Sequence, residues 1–278
     1  MNKNSGLPII ENPFPLVYSP LVQCMTNVVT VESMANAILY IDGKPVMADQ
    51  PWEFEDFMEQ TDALLLNLGG FSPDNAQALL VASMQAQMKQ IPTVVDLVGV
   101  AGSSLRLDIA YKILKHKPTV VKGNYSELRK FCQLTTTGRG VDSSDSDQED
   151  DAITELAQAM KLLSIEHPET LFLATGAKDI IAFNQTLYHL DNGVENLDRF
   201  TGTGDIVGAL IATLLGEGKE VLAATISAVS YFNLCGEKAD SMTKGLANFR
   251  QETLNQLSLL MEDKEWMKSM RGGLINGL

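Results

Sequence analysis

Thr93-Val94-Val95-Asp96-Leu97-Val98-Gly99 is a short β-branched run, entered after Pro92 and closed by glycine. Such a run, apolar on every residue until a polar strand end, reads as a strand buried on both faces. The same figure recurs on either side. Ala63-Leu64-Leu65-Leu66-Asn67-Leu68 stops at Gly69-Gly70, Thr119-Val120-Val121-Lys122 at Gly123-Asn124, and Leu171-Phe172-Leu173-Ala174-Thr175 at Gly176. Helical patterns alternate with these runs. Val31, Met34, Ala35, Ile38 and Leu39 are spaced for a helix over 28–40. Ser72-Pro73-Asp74 is a helix-start signal followed by Leu80, Met84 and Met88 four residues apart. Alternation of strand and helix at this spacing predicts an α/β fold: a central, mostly parallel sheet with helices on both faces, in one domain over 1–278.

Two segments depart from that rhythm. Ile180 to Phe183 and Thr186 to Leu190, joined by Asn184-Gln185, predict a hairpin at a sheet edge. From Gly204 onward the pattern is helical, with a strongly apolar helix over 206–215 and longer ones over 220–239 and 249–261. The acidic stretch from Asp142 to Asp151 reads as a solvated loop running into the next helix.

Bulk properties narrow the function. A net charge of −14 argues against nucleic acid and against an anionic membrane surface. It leaves room for a nucleotide, whose phosphates backbone N–H groups, a helix N-terminus and one or two cations can hold. Cys24, Cys132 and Cys235 form no Cys-x-x-Cys pair, which fits a reducing cytoplasm rather than a disulfide framework. The first residues lead into Pro8 and Pro13 without an apolar run, so no signal peptide is expected. His116, His167 and His189 fall in no motif and read as surface or structural.

In a parallel sheet, ligands gather beyond the carboxyl ends of the strands. The densest chemical signal is Phe200-Thr201-Gly202-Thr203-Gly204-Asp205-Ile206-Val207. Two glycines allow a tight turn, and a long apolar helix follows at once. Unpaired amides and the positive end of the helix dipole then face one small volume, an anion hole suited to a transferring phosphoryl group. Asp205 at its mouth could accept the proton of an attacking hydroxyl. Asp is also common at helix starts, so the motif alone leaves a structural role open. A Walker loop is absent, which disfavours a P-loop kinase.

Thr-Gly-Thr-Gly-Asp at 201–205 resembles the anion-hole and base motif of ribokinase-like kinases. Further segments resemble hydroxyethylthiazole kinases in particular. These are Pro20-Leu21-Val22-Gln23-Cys24-Met25-Thr26-Asn27-Val28-Val29, Gly43-Lys44-Pro45-Val46-Met47-Ala48, Asp96-Leu97-Val98-Gly99, Lys122-Gly123-Asn124-Tyr125-Ser126-Glu127 and Ala174-Thr175-Gly176, in that order. The resemblance spans about residues 15 to 260. It implies a ribokinase-like three-layer αβα fold and an ATP-dependent kinase acting on the hydroxyl of 4-methyl-5-(2-hydroxyethyl)thiazole in thiamine salvage. By the same resemblance Asp205 is the catalytic base. Asn27, Met47 and Gly202 line the substrate pocket. Lys122, Asn124, Thr175 and Gly204 fall on the ATP side, and Asp96 and Glu127 hold Mg²⁺ directly or through water. It also implies a homotrimer with pockets between subunits. Each residue has a structural alternative: core packing for Met47, helix capping for Asn27, a first-turn residue favoured by the helix dipole for Glu127, a strand-end carboxylate for Asp96, a turn for Thr175. Other functions stay open as well: a kinase for hydroxymethylpyrimidine or a sugar, a nucleotide-dependent hydro-lyase, or a non-catalytic binder.

The chain departs from the family pattern in places. Many thiazole kinases carry Cys where Asp205 stands, Lys122 replaces Arg, Leu97 replaces Pro, and 100–104 replaces a run of small residues. Lys keeps the charge of Arg but loses its planar fork.

Overall fold

A computed structural model describes residues 7–8, 13–70, 72–135 and 150–276. In chain order the strands are β1 (Leu21–Met25), β2 (Lys44–Val46), β3 (Ala63–Asn67), β4 (Thr93–Asp96), β5 (Val120–Asn124), β6 (Leu171–Thr175), β7 (Asp179–Phe183), β8 (Thr186–Leu190) and β9 (Gly272–Leu274). The α-helices are α1 (Val31–Tyr40), α2 (Phe54–Met58), α3 (Pro73–Lys89), α4 (Ser104–Leu114), α5 (Tyr125–Phe131), α6 (Asp150–Glu166), α7 (Thr203–Gly216), α8 (Val221–Met242) and α9 (Leu246–Leu259). One sheet holds all these strands in the order β2-β1-β3-β4-β5-β6-β7-β8-β9. It is parallel from β2 through β6 and antiparallel from β6 through β9.

The period of two along each strand divides the core. Ala63 and Leu65, Val94, Val120, Leu171 and Leu173 pack on one face with α1, α7, α8 and α9. Leu64 and Leu66, Val95, Val121 and Phe172 pack on the other with α3, α4, α5 and α6. Strands covered on both faces can be apolar at every position, which is why the runs are continuous. The result is the expected three-layer αβα sandwich. Helix α7 is buried along nearly its whole length from Asp205, so its sequence is apolar all round. Among the described residues no helix is long and apolar enough to cross a membrane.

Several expectations change. The hairpin β7–β8 turns through Asn184 and Gln185, both at positive φ (46° and 67°), as a tight primed turn requires. It is not the sheet edge, however, because β9 pairs antiparallel beyond β8. That strand is nearly invisible to propensity. At Gly272 any Cβ would stand 2.3 Å from the His189 carbonyl oxygen, so the position that admits the pairing is a glycine. On α3 the stripe Leu80–Met84–Met88 is not the buried one. Ala78, Leu79, Ala82 and Ala86 face the sheet, while Met84 and Met88 are exposed. Small alanines let the helix lie close to the strands. The acidic stretch lies outside the described residues up to position 149, and α6 begins at Asp150.

The histidines hold structure. His116 bonds Ser83 at 2.7 Å, His189 bonds Asp191 at 3.0 Å, and His167 packs edge-on to Phe172. Burial pushes the Cys24 and Cys132 thiols up to about 12, so neither is an activated thiolate.

Candidate active site

Register places the polar strand ends side by side. Asn67 pairs with Asp96 across β3 and β4, and Asp96 pairs with Lys122 across β4 and β5. Each lies two residues on from a side chain of the α7 face (Leu65, Val94 and Val120), so all three project toward the start of α7. Thr175, two beyond Leu173, extends the same face on β6.

The helix start is built on Gly202. Its φ of +99° suits glycine, and a Cβ there would stand 2.9 Å from the Thr30 methyl carbon. Its carbonyl accepts the Ile206 N–H at 2.9 Å, opening α7. The amides of Thr203, Gly204 and Asp205 therefore have no partner within the helix.

Asp205 is buried and held from several sides. Asn67 Nδ2 donates to its Oδ1 at 2.8 Å. The Thr30 hydroxyl donates to its Oδ2, and Asn27 Nδ2 reaches the same oxygen at 3.4 Å. Asn27 also caps the turn that leads into α1, its Oδ1 accepting the amides of Val29 (2.9 Å) and Thr30 (3.1 Å). The capping and site roles of Asn27 thus coexist. Neutral donors fix the carboxylate's direction without placing a cation on it.

Beside Asp205 lies a buried ion pair, Lys122 Nζ to Asp96 Oδ2 at 2.8 Å. A Cβ on Gly204 would come 3.4 Å from that ammonium, so the lysine charge sits directly against the helix start. Burial raises the Asp96 carboxyl and Lys122 lowers it, while the Asp205 charge raises it again. Glu127 is buried as well. Its Oε2 accepts the Asn124 N–H and its Oε1 the Gly99 N–H, both at 2.8 Å. With Asn124 Oδ1 accepting the Glu127 N–H at 2.9 Å, the pair forms a capping box for α5. Burial pushes Glu127 up to about 8, with Asp96 adding to the rise and the N–H bonds and Lys122 opposing it.

The loop after β4 is tied into the site. Gly99 has φ +79°, and Arg106 spans two strand-end loops, donating to Val98 O at 3.0 Å and Gly69 O at 3.2 Å. On β6, Thr175 Oγ1 donates to Gly123 O at 3.4 Å, placing it against the Lys122-Gly123-Asn124 segment.

Asn27, Asp96, Lys122, Asn124, Glu127, Thr175, Gly202, Gly204 and Asp205 therefore share one neighbourhood. Met47 lies to the side of it. It follows the edge strand β2, half-buried against the α1–α7 core, in a loop pinned by Gln23 Nε2 donating to Ala48 O at 3.1 Å. Sequence reading alone did not single out Thr30 or Asn67, the strongest donors to Asp205. Asn67 carried a signal, a polar residue ending an apolar run before Gly69-Gly70; Thr30 carried none.

A buried carboxylate, the free amides of a helix start and a buried ammonium in one neighbourhood can support phosphoryl transfer to a hydroxyl. Comparison with known proteins agrees. Residues 17–263 match the model of the Hydroxyethylthiazole kinase family. The chain is 54% identical over 265 residues to a hydroxyethylthiazole kinase of Enterococcus faecalis, covering 95% of this chain and 97% of that protein. A hydroxyethylthiazole kinase of Lacticaseibacillus casei is 55% identical over 264 residues, 94% of each chain. Among solved structures, the hydroxyethylthiazole kinase protein of Pyrococcus horikoshii superposes with a TM-score of 0.81 at 27% identity, over 92% of this chain and 94% of that one. The ADP complex of Bacillus subtilis pyridoxal kinase shares the fold at 14% identity, with a TM-score of 0.56 over 77% of this chain and 90% of that one.

Proposed function

This chain belongs to the hydroxyethylthiazole kinase family, and we propose that it phosphorylates the primary hydroxyl of 4-methyl-5-(2-hydroxyethyl)thiazole, a step of thiamine salvage, with ATP as donor. The observation that carries the reading is the caged Asp205 carboxylate standing between the α7 amides and the Asn67–Asp96–Lys122 row.

In this reading Asp205 accepts the hydroxyl proton as the oxygen attacks the γ-phosphorus. Thr30 and Asn67 keep its oxygens aimed. In a loose transition state the proton leaves late, so a carboxylate suffices as base. The amides of Thr203 and Gly204 and the Lys122 ammonium bind the oxygens of the transferring group. Gly202 lies beside the reacting hydroxyl, while Asn27 and Met47 border the heterocycle. Thr175 and Asn124 lie on the nucleotide side.

Asp96 and Glu127 fit Mg²⁺ through water rather than directly. Glu127 spends both oxygens on backbone N–H groups, and Asp96 is paired with Lys122. Asp96 and Asp205 beside the single Lys122 ammonium leave negative charge that a hydrated cation would offset. Bound there, Mg²⁺ would supply neutralisation of phosphate charge.

A homotrimer is supported by apolar surface at the pocket's rim. Val28 and Val29, next to Asn27, are 91% and 72% exposed in the single chain, and a second copy would cover them. Light scattering coupled to size exclusion tests this; a monomer at micromolar concentration counts against it. The unpaired Cys24, Cys132 and Cys235 support a cytoplasmic setting.

The deciding experiment is ADP release from MgATP with and without the thiazole, for wild type and Asp205→Asn. Thiazole-dependent turnover lost in the variant supports the assignment. Wild type without such turnover overturns it.

A further inference from the structure

Asp179 opens β7, is 4% exposed, and has no part in the mechanism above. Its Oδ1 accepts the Gly176 N–H at 3.3 Å, and its Oδ2 accepts Asn233 Nδ2 at 2.8 Å. Asn233 stands on α8, and the same amide nitrogen donates to Asn192 O at 2.9 Å, which fixes its orientation. A line of hydrogen bonds thus runs from α8 through a buried carboxylate to the turn that follows Thr175.

The opposite side of that turn is held by Tyr125, the residue after Asn124. A Cβ on Gly176 would stand 2.7 Å from Tyr125 Cζ, and the Tyr125 hydroxyl donates to Lys178 O. Residues 176–178 are therefore clamped between an aromatic ring and a carboxylate. Closing a turn does not require a buried ionisable group; an Asn or Ser side chain does so with a neutral acceptor. Burying a carboxylate is costly, and such groups concentrate where a site needs them.

We propose that Asp179, oriented by Asn233, is a positioning residue that fixes the Thr175–Gly176 turn for the nucleotide. The inference rests on the reading that Thr175 faces the nucleotide. Loosening the turn should weaken ATP binding and leave the thiazole pocket, on the far side of Asp205, untouched.

The test measures KM for each substrate, kcat, and the Kd of a fluorescent N-methylanthraniloyl ATP, on wild type, Asn233→Ala, Asp179→Asn and Asp179→Ala, with melting curves alongside. Expected is a rise of roughly five- to tenfold in KM and Kd for the nucleotide, the size of one lost hydrogen bond, with KM for the thiazole within twofold. Asp179→Asn, which keeps an acceptor for Gly176, should be the milder of the Asp179 variants. Asn233→Ala carries the test should Asp179→Ala not fold. Nucleotide KM and Kd within twofold of wild type in a folded variant would overturn the positioning role, as would equal loss toward both substrates. A wild type that binds the nucleotide analogue but shows no thiazole-dependent ADP refutes the function proposed above, and the Kd comparison still decides the role of Asp179.

Discussion

Lys122 Nζ and Asp96 Oδ2 are 2.8 Å apart, with both side chains almost completely shielded from water. A buried pair adds little net stability over apolar residues, but breaking it strands a charge. Lys122→Met is therefore expected to destabilise the fold by roughly 3–5 kcal/mol, read by urea unfolding. Adding Asp96→Asn to it should restore much of that loss. Strict additivity of the two single variants would show that the pair is not coupled.

Asp205 yields the sharpest kinetic prediction. On the proposed mechanism Asp205→Asn removes the base and sets an amide against the Asn67 and Thr30 donors, so thiazole-dependent turnover should fall by about 10²–10⁴-fold. Thr30→Val keeps the shape of Thr30 and deletes one donor to the carboxylate. We expect kcat to drop by roughly tenfold or more with KM for ATP unchanged. An unaltered kcat would mean that the Thr30 hydroxyl does not aim the base.

Burial raises Asp179 from its ordinary 3.8 to about 7, with Asp198 adding to the rise and the Gly176 amide, Asn233 and Lys122 opposing it. The folded protein thus holds a proton that the unfolded chain has released between about pH 4 and pH 7. Stability from this group falls as pH rises through that window and is flat above it, by roughly 4 kcal/mol in total. Comparison with Asp179→Asn isolates the term, because other groups titrate alike in both. The melting temperature of the variant relative to wild type should climb from pH 4.5 to pH 7.5 and then level. Parallel curves across that range would show that Asp179 does not titrate there.

Strands β3 to β6 were legible in the sequence because each is a short apolar or β-branched run that leads to a polar strand end with glycine close by. Strand β1 was not read as an element, since Gln23 interrupts its apolar run; that glutamine is buried with its amide on Ala48 O. The site divides the same way. Asp205 and the glycines before it are contiguous, so the motif shows them. Asn67 and Thr30 reach Asp205 across 138 and 175 residues of chain, a juxtaposition made only by register and helix packing. The neutral cage around Asp205 could therefore not be read from local pattern, whereas Asp205 itself stands out in the motif.

Gly202 joins the backbone to that cage. Its φ of +99° would strain any side chain, and a Cβ would press on the Thr30 methyl carbon at 2.9 Å. Gly202→Ala should thus cost roughly 1–3 kcal/mol of stability. The strain can relax by moving Thr30, which carries the hydroxyl held by Asp205, or by reorienting the amides that open α7. Either route disturbs the chemistry more than the fold. Turnover should fall well beyond the fraction of protein unfolded, measured as thiazole-dependent ADP release at a temperature where the variant is fully folded by circular dichroism. A folded Gly202→Ala with wild-type turnover would show that the turn geometry is not needed for transfer.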